Sequence, residues 1–106
     1  MSGASQLTSR VMEPEQFNRI SRALADPTRV EILERIAAEK EMACAVLAGQ
    51  SQVSQPTISH HLKELHVAGL IQPRREAKFC FYRLDRKVWA EYLAEMRRRI
   101  PVRRKA

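Results

Sequence analysis

The sequence predicts a mainly α-helical domain with one small β-hairpin towards its C-terminal end. Helix-boundary residues and apolar residues at helical spacing occur together in the stretch 54–70. Aromatic and apolar residues then flank a short basic turn in the stretch 71–84. A third observation is that Asp26 and Asp85 each precede a further helical pattern. A helix followed directly by a basic hairpin is the layout of a winged helix-turn-helix, with the element order α-α-α-α-β-β-α.

The first two helices are predicted before residue 40. The first begins at Pro14. Asp26 and Pro27 then break and restart the helical pattern, because Asp is a good N-cap and Pro a good first helical residue. The second helix is predicted to run from Pro27 to about Glu39. The inward positions of the two helices are Phe17, Ile20 and Leu24, then Val30, Leu33, Ile36 and Ala37.

The next pair of helices flanks a turn at Ser51 and Gln52. The segment 42–48 is predicted to be a short apolar helix. Ser54 is a suitable N-cap for the following helix, and Gly69 is suited to the left-handed turn that ends it. The apolar side of this second helix is formed by Ile58, Leu62 and Leu65.

The hairpin and the last helix complete the predicted domain. A tight primed turn with two positive φ angles would be strained at Ala77, so a looser or longer wing tip is predicted. Asp85 is a suitable N-cap for a helix from Arg86 to about Arg99, and Pro101 would end it. The apolar stripe of that helix comprises Val88, Trp89, Tyr92, Leu93, Met96 and Ile100.

Composition divides the chain into a flexible N-terminus (1–13), one domain (14–100) and a basic tail (101–106). The formal net charge is +7, and residues 97–106 carry six basic residues and no acid. Within 42–84, five basic residues face two acidic ones. The 106 residues contain no apolar run long enough for a membrane span, no signal-peptide pattern, and only two cysteines. These features favour a cytoplasmic protein.

Three sequence blocks resemble the ArsR/SmtB family of bacterial transcriptional repressors. They are ALADPTRVEIL (23–33), SQPTISHHLKELHVAGLI (54–71) and RREAKFCFYRL (74–84), and they follow that family's order and spacing. The resemblance implies a homodimeric repressor that binds an inverted-repeat operator in double-stranded DNA and is released by an effector or by thiol modification. The chain departs from the family pattern at Ser51-Gln52, where Leu-Gly is frequent, and at Ala77, where Gly is common.

The face of the 54–67 helix opposite its apolar stripe carries short donors and acceptors, which suits the DNA major groove. Gln55 can pair with adenine and His60 with a guanine acceptor, whereas basic groups are expected to bind phosphates. His61 is predicted to be structural. The predicted DNA-binding residues are Ser54, Gln55, Thr57, Ser59, His60, Lys63, Arg74, Arg75 and Lys78.

The resembling family builds its dimer interface from the first and last helices. This implies a corresponding role for apolar residues of those two helices, although the same residues would also complete the core of a monomer. The predicted dimer-interface residues are Phe17, Ile20, Leu24, Trp89, Tyr92, Leu93 and Met96.

No metal or cofactor is predicted. One metal site of the resembling family uses a Cys-x-Cys motif, but the corresponding segment 42–45 contains only Cys44. The other family site uses histidines of the last helix, and this chain has no His after His66. A site formed by Cys44, Cys80 and residues of a partner chain remains open. Cys44 is also a possible thiol sensor, because oxidation would perturb the helix beneath the DNA-reading helix. The alternative is a small buried apolar side chain.

Three function classes compete. The leading one is the sequence-specific repressor. A non-specific nucleic-acid-binding protein, driven by the basic wing and tail, is the main alternative, and a protein-interaction module that uses the same fold is the third. An enzyme is not predicted, because no catalytic Ser-His-Asp set, carboxylate pair or glycine-rich phosphate loop is present.

Overall fold

The computed structural model describes residues 11–103. Predictions that fall on 1–10 and 104–106 therefore lie outside the described residues. The elements of the described part, in chain order, are α1 (Pro14–Ala23), α2 (Pro27–Ala37), β1 (Met42–Ala43), α3 (Cys44–Gln50), α4 (Gln55–Val67), β2 (Ile71–Glu76), β3 (Phe79–Leu84) and α5 (Arg86–Arg99). The predicted fold class and order of helices and hairpin are confirmed.

Helices α2, α4 and α5 begin at the predicted caps. Asp26 Oδ1 accepts hydrogen bonds from the backbone N–H groups of Thr28 and Arg29 at 2.9 and 3.1 Å. Asp85 Oδ1 accepts one from Val88 at 3.0 Å. Gly69, just beyond α4, has a φ of 87°, in the left-handed region that favours glycine. Each side-chain cap satisfies a backbone donor that the helix leaves unpaired and contributes about 1 kcal/mol.

The prediction of helix from residue 42 is wrong for its first two residues. Met42 pairs with Tyr82 and Ala43 with Phe81 in an antiparallel ladder, so a three-stranded sheet forms in the order β1-β3-β2. Strand β3 would otherwise present an unpaired backbone edge. Pairing with a distant strand therefore outweighs the local helical preference at these two positions, and α3 begins only at Cys44.

The prediction of a looser or longer wing tip is also wrong. The β2–β3 ladder continues to the pair Glu76 and Phe79, which leaves only Ala77 and Lys78 in the turn. Ala77 has a φ of 56°, and it is the only non-glycine residue of the described part with a positive φ. A left-handed alanine costs about 1–2 kcal/mol. The paired strands on both sides impose that conformation, because a longer tip would break the terminal pair of the ladder.

The core lies between α1, α2, α4 and the start of β2. Ile20, Ile36, Leu65 and Ile71 are fully buried within it. Met12 is also buried, so packing extends two residues before the predicted domain boundary. In α2, Ile32 is buried although it was not among the predicted inward positions, whose member Val30 is only half-buried. Every helix within residues 11–103 is too short or too polar to cross a membrane.

A polar contact connects the N-terminal end of α2 to α4. Arg29 Nε donates to Nδ1 of His61 at 3.3 Å, and an Arg29 Nη1–H donates to the carbonyl of Ala23 at 3.3 Å. A guanidinium has no acceptor, so the Nδ1 of His61 must be unprotonated. Burial lowers the pKa of His61 below its usual 6.5; Asp26 opposes this shift, whereas Arg29 and His60 add to it. The predicted structural role of His61 agrees with this contact.

Replacing Ala77 with glycine is expected to stabilise the protein. Glycine removes the left-handed strain at an exposed position, and its greater freedom in the unfolded chain offsets part of that gain, which leaves about 0.5–1 kcal/mol. The measurement is the free energy of unfolding in urea at fixed protein concentration. Ala94→Gly, at an exposed position within α5, is the control and should destabilise by a similar amount. A lower stability for Ala77→Gly would contradict the turn conformation.

The free energy of unfolding is expected to fall as the pH drops below about 6.5, in part because of His61. The unfolded chain binds the imidazole proton near pH 6.5, whereas the folded chain resists protonation until a lower pH. Full stability is therefore present above 6.5 and is lost towards the folded pKa. His61→Gln keeps an acceptor for Arg29 without titrating. The thermal unfolding midpoints of the wild type and of His61→Gln, measured between about pH 8 and pH 5, should converge as the pH falls. Midpoints that change in parallel with pH would count against a buried neutral imidazole.

Candidate DNA-binding surface

Helix α4 presents a polar face to solvent because its other side is held in the core. Ile58, Leu62 and Leu65 are 2%, 3% and 0% exposed. Burying side chains of this size contributes about 2 kcal/mol each, which fixes the rotation of the helix about its axis. Of the predicted reading residues, those on the solvent side of α4 are Gln55, Ser59, His60 and Lys63, all exposed.

Ser54 and Thr57 form hydrogen bonds with each other at the start of α4. Their hydroxyl oxygens lie 2.9 Å apart, and the Ser54 hydroxyl accepts from the backbone N–H of Thr57 at 3.4 Å. Thr57 is half-buried, whereas Ser54 is exposed. The pair therefore holds the first turn of α4, and the freely projecting groups are those further along the helix.

The end of α4 is closed by Gln16 of α1, which sequence reasoning did not single out. Its Nε2 donates to the carbonyl of Ala68 at 3.2 Å. The same nitrogen would lie 2.7 Å from a Cβ added at Gly69, so Gln16 would have to move away, while the positive φ of Gly69 is what favours glycine there. The two residues of the hydrogen bond are separated by 52 positions, and no local pattern signals such a contact.

In the wing, Arg74 is already engaged within the protein. Its Nε donates to Glu41 at 3.0 Å, an Nη1–H donates to Glu76 at 2.8 Å, and its guanidinium lies 4.5 Å from the centre of the Phe81 ring. The hydrogen bond from Arg74 lowers the pKa of Glu41. Arg74 therefore attaches the wing to the segment before β1. Glu41 was missing from the predicted site because its partner is 33 residues away.

Arg75 and Lys78 are the other predicted phosphate-binding residues of the wing. Both side chains are exposed, and within residues 11–103 neither takes part in a salt bridge. Lys78 Nζ lies 5.8 Å from the centre of the neighbouring Phe79 ring. These two cations, unlike that of Arg74, remain available to an external anion.

The predicted dimer residues divide into two groups. Phe17, Ile20 and Tyr92 are at most 7% exposed in the single chain. The Phe17 and Tyr92 ring centres are 5.0 Å apart, and the Tyr92 hydroxyl forms a 2.9 Å hydrogen bond with that of Ser21. These contacts join α1 to α5 within one protomer. The three residues therefore complete the core of the single chain, which was the alternative to a role in the dimer interface.

The second group lies beside Tyr92 on α5, and the Trp89 and Tyr92 ring centres are 5.8 Å apart. We call the residues Trp89, Leu93, Met96 and Ile100 the outer stripe, because their i, i+4, i+7, i+11 spacing puts them on one helical face. Leu93 is 42% and Ile100 71% exposed, whereas Trp89 and Met96 are half-buried. Leu24 of α1, also predicted for the interface, is half-buried. The outer stripe leaves an apolar surface for another chain.

The basic run at the end of α5 is partly neutralised. Glu95 is 5% exposed and accepts hydrogen bonds from Arg98 and from Arg99 Nε, the latter at 2.8 Å. These bonds, that of Arg98 foremost, lower the pKa of Glu95 to about 2. The Arg99 guanidinium also lies 3.8 Å from the centre of the Phe17 ring. Part of the positive charge of the 97–106 run thus stabilises the α1–α5 contact.

Cys44, the possible thiol sensor, is half-buried at the start of α3, and Cys80 is half-buried in β3; both are free thiols. Burial and then the neighbouring Cys80 raise the pKa of Cys44 to about 11, against a partial opposing effect of Arg75. Reactive cysteines require a lowered pKa, so a role for Cys44 as an attacking thiolate is disfavoured. Within residues 11–103, no three His, Cys, Asp or Glu side chains cluster in a way that would hold a metal ion.

Comparisons with known proteins agree with this geometry. Residues 24–74 match the family model described as a helix-turn-helix domain. An uncharacterised HTH-type transcriptional regulator of Methanocaldococcus jannaschii, MJ1325, is 38% identical over 68 residues, which are 64% of this chain and 76% of that protein. The arsenical resistance operon repressor of Staphylococcus xylosus is 35% identical over 74 residues, which are 70% of each chain.

A solved structure shares the fold over most of the chain. It is the solution structure of the homodimeric winged helix-turn-helix DNA-binding domain of Mb0332 from Mycobacterium bovis, a possible ArsR-family transcriptional regulator. It is 26% identical, covers 87% of this chain and 86% of its own, and has a TM-score of 0.65. Together with the fold and the polar face of α4, these similarities show that the chain belongs to the ArsR family of winged helix-turn-helix transcriptional regulators.

Proposed function

We propose that this protein is a homodimeric repressor that binds an inverted-repeat operator through α4 and the wing and leaves it on receiving a signal. The observation that carries the proposal is the exposed polar face of α4, whose apolar side is locked into the core. A rigid helix with short donors and acceptors on its outer side fits the width of the major groove and can read base edges there.

Base reading and phosphate binding fall to different residues. Gln55 and His60 carry planar groups that match the major-groove edges of adenine and guanine, and Ser59 lies beside them. Lys63 of α4 and the wing cations Arg75 and Lys78 supply the phosphate contacts that hold the protein in register. Arg74 contributes indirectly, because its contacts with Glu41 and Glu76 hold the wing in place.

The outer stripe of α5 supports the dimer. The similar domain of Mb0332 is homodimeric, and the exposed Leu93 and Ile100 offer an apolar surface for a second copy. A two-fold dimer would place its α4 helices about 34 Å apart, one turn of DNA, which is the geometry of an inverted repeat. A signal that alters this spacing would release the operator.

Discrimination between sequences is expected to depend on Gln55 and His60. The double variant Gln55→Ala/His60→Ala should lose most of its preference for the operator over a scrambled duplex, because each base contact supplies about 1–3 kcal/mol of discrimination. The measurement is a binding titration at fixed salt against the DNA upstream of the protein's own gene and against the scrambled sequence. His66→Ala, in the last turn of the same helix, is the matched control.

The same titration tests the proposal as a whole. If the wild type bound both duplexes equally with a steep salt dependence, the non-specific alternative would replace the repressor. A double variant that kept its full preference would remove these two side chains from base reading. The His66→Ala control should retain the wild-type preference.

Dimerisation is expected to depend on Leu93. Leu93→Glu puts a carboxylate into the proposed apolar interface and should raise the dimer dissociation constant at least about a hundredfold. The molar mass in solution over a range of protein concentrations measures this change. Val46→Glu in α3 is the matched control, because Val46 is 45% exposed, close to the 42% of Leu93. Identical dimer stability for the two variants would place the interface elsewhere.

A further inference from the structure

The sheet brings the two cysteines of this chain together. Strands β1 and β3 pair antiparallel, Met42 with Tyr82 and Ala43 with Phe81. One residue beyond these pairs, the same register sets Cys44 opposite Cys80. The two thiols and the Tyr82 hydroxyl are close neighbours, since Cys80 raises the pKa of Cys44 and both thiols raise the pKa of Tyr82. This juxtaposition joins residues 36 positions apart, and no sequence motif signals it.

The surroundings of the two cysteines favour a reaction between both thiols over a single sensor thiol. Both cysteines are half-buried and free. Arg75 lies directly opposite Cys80 in the β2–β3 ladder, so a cation stands beside the sulfur atoms. Cys44 follows β1 directly as the first residue of α3, so it adjoins the paired strands without belonging to the ladder. A disulfide needs Cβ atoms about 3.5–4.5 Å apart, and a small movement at this junction would bring the two residues into that range.

We propose that Cys44 and Cys80 form a reversible intrachain disulfide when the protein meets a hydroperoxide such as hydrogen peroxide. The Cys80 thiolate attacks one peroxide oxygen, an S–O bond forms, the O–O bond breaks and hydroxide leaves. The Cys44 sulfur then attacks the sulfenic sulfur, the S–S bond forms, the S–O bond breaks and the hydroxyl leaves as water with the Cys44 proton. Two thiols are oxidised and one peroxide is reduced to two waters.

The roles of the two thiols follow from their positions. Cys80 is the attacking group because Arg75 stands opposite it in the ladder. Cys44 is the resolving group, since a protonated, half-buried thiol reacts slowly with a peroxide but lies next to the sulfenic acid once that has formed. The raised pKa of Cys44 therefore disfavours it as a lone sensor without excluding it as the second partner.

The bond would act on the DNA-binding surface. Cys44 is the first residue of α3, which packs against α4, and Cys80 belongs to the wing. Drawing the sulfur atoms together to about 2 Å pulls β3 towards α3 and shifts the wing relative to α4. Wing and α4 must meet one duplex together, so we expect oxidation to lower operator affinity; this part of the inference rests on the proposed function.

The first test follows the thiols alone. Reduced full-length protein is titrated with hydrogen peroxide, remaining thiols are blocked with N-ethylmaleimide, and intact mass and peptide maps are recorded. The expected result is joint loss of both thiols and one peptide pair that links Cys44 to Cys80 within a chain. Cys44→Ser and Cys80→Ser should form no such link. Oxidation to sulfinic acid without a cross-link, or a disulfide only between chains, would overturn the proposal.

The second test follows DNA binding by the same samples. Oxidised wild type should bind the operator about tenfold more weakly, as expected for the loss of one or two phosphate contacts, and dithiothreitol should restore it. Both serine variants should bind the operator and ignore peroxide. Unchanged affinity in a fully cross-linked sample would overturn the regulatory role. If reduced protein did not prefer the operator at all, the proposed function would fail, while the mass measurement would still decide whether the thiols pair.

Discussion

The burial of one side of α4 is the constraint on which the rest of this structure depends. Ile58, Leu62 and Leu65 are at most 3% exposed, and they pack against α1, α2 and the start of β2. Since these side chains set the rotation of the helix, they also decide that Gln55 and His60 face solvent. The hydrophobic effect thereby orients the side chains that we propose to read bases.

The three-stranded sheet gives the wing its position relative to α4. Strand β1 contributes only two residues, yet it attaches β3 to the beginning of α3. Arg74 reinforces this attachment through Glu41. The register of this ladder, continued by one residue, sets Cys44 opposite Cys80, so the attachment of the wing and the proposed redox site coincide. The proposed disulfide would therefore act at the point where the wing is attached to the helix-turn-helix.

Local sequence patterns correctly predicted the features that depend only on residues close together in the chain. Asp26, Ser54 and Asp85 cap the helices that follow them, because a cap needs only a side-chain oxygen and the next turn of backbone. The wing tip failed as a prediction because Ala77 was judged by its own preference, whereas the ladder on either side imposes its φ of 56°. The split of the α5 stripe into Tyr92 on the inner side and Leu93 on the outer side likewise needed the position of α1.

The sequence by itself determined the order of the helices and the hairpin, the capped starts of three helices, the polar face of α4 and the family, because periodicity, caps and motif spacing are properties of short segments. Only the tertiary structure decided which charged and sulfur groups meet. Arg74 with Glu41, His61 with Arg29 and Cys44 with Cys80 are each joined across more than thirty residues. Such contacts arise from how separate elements pack, so the local sequence around either residue does not indicate its partner.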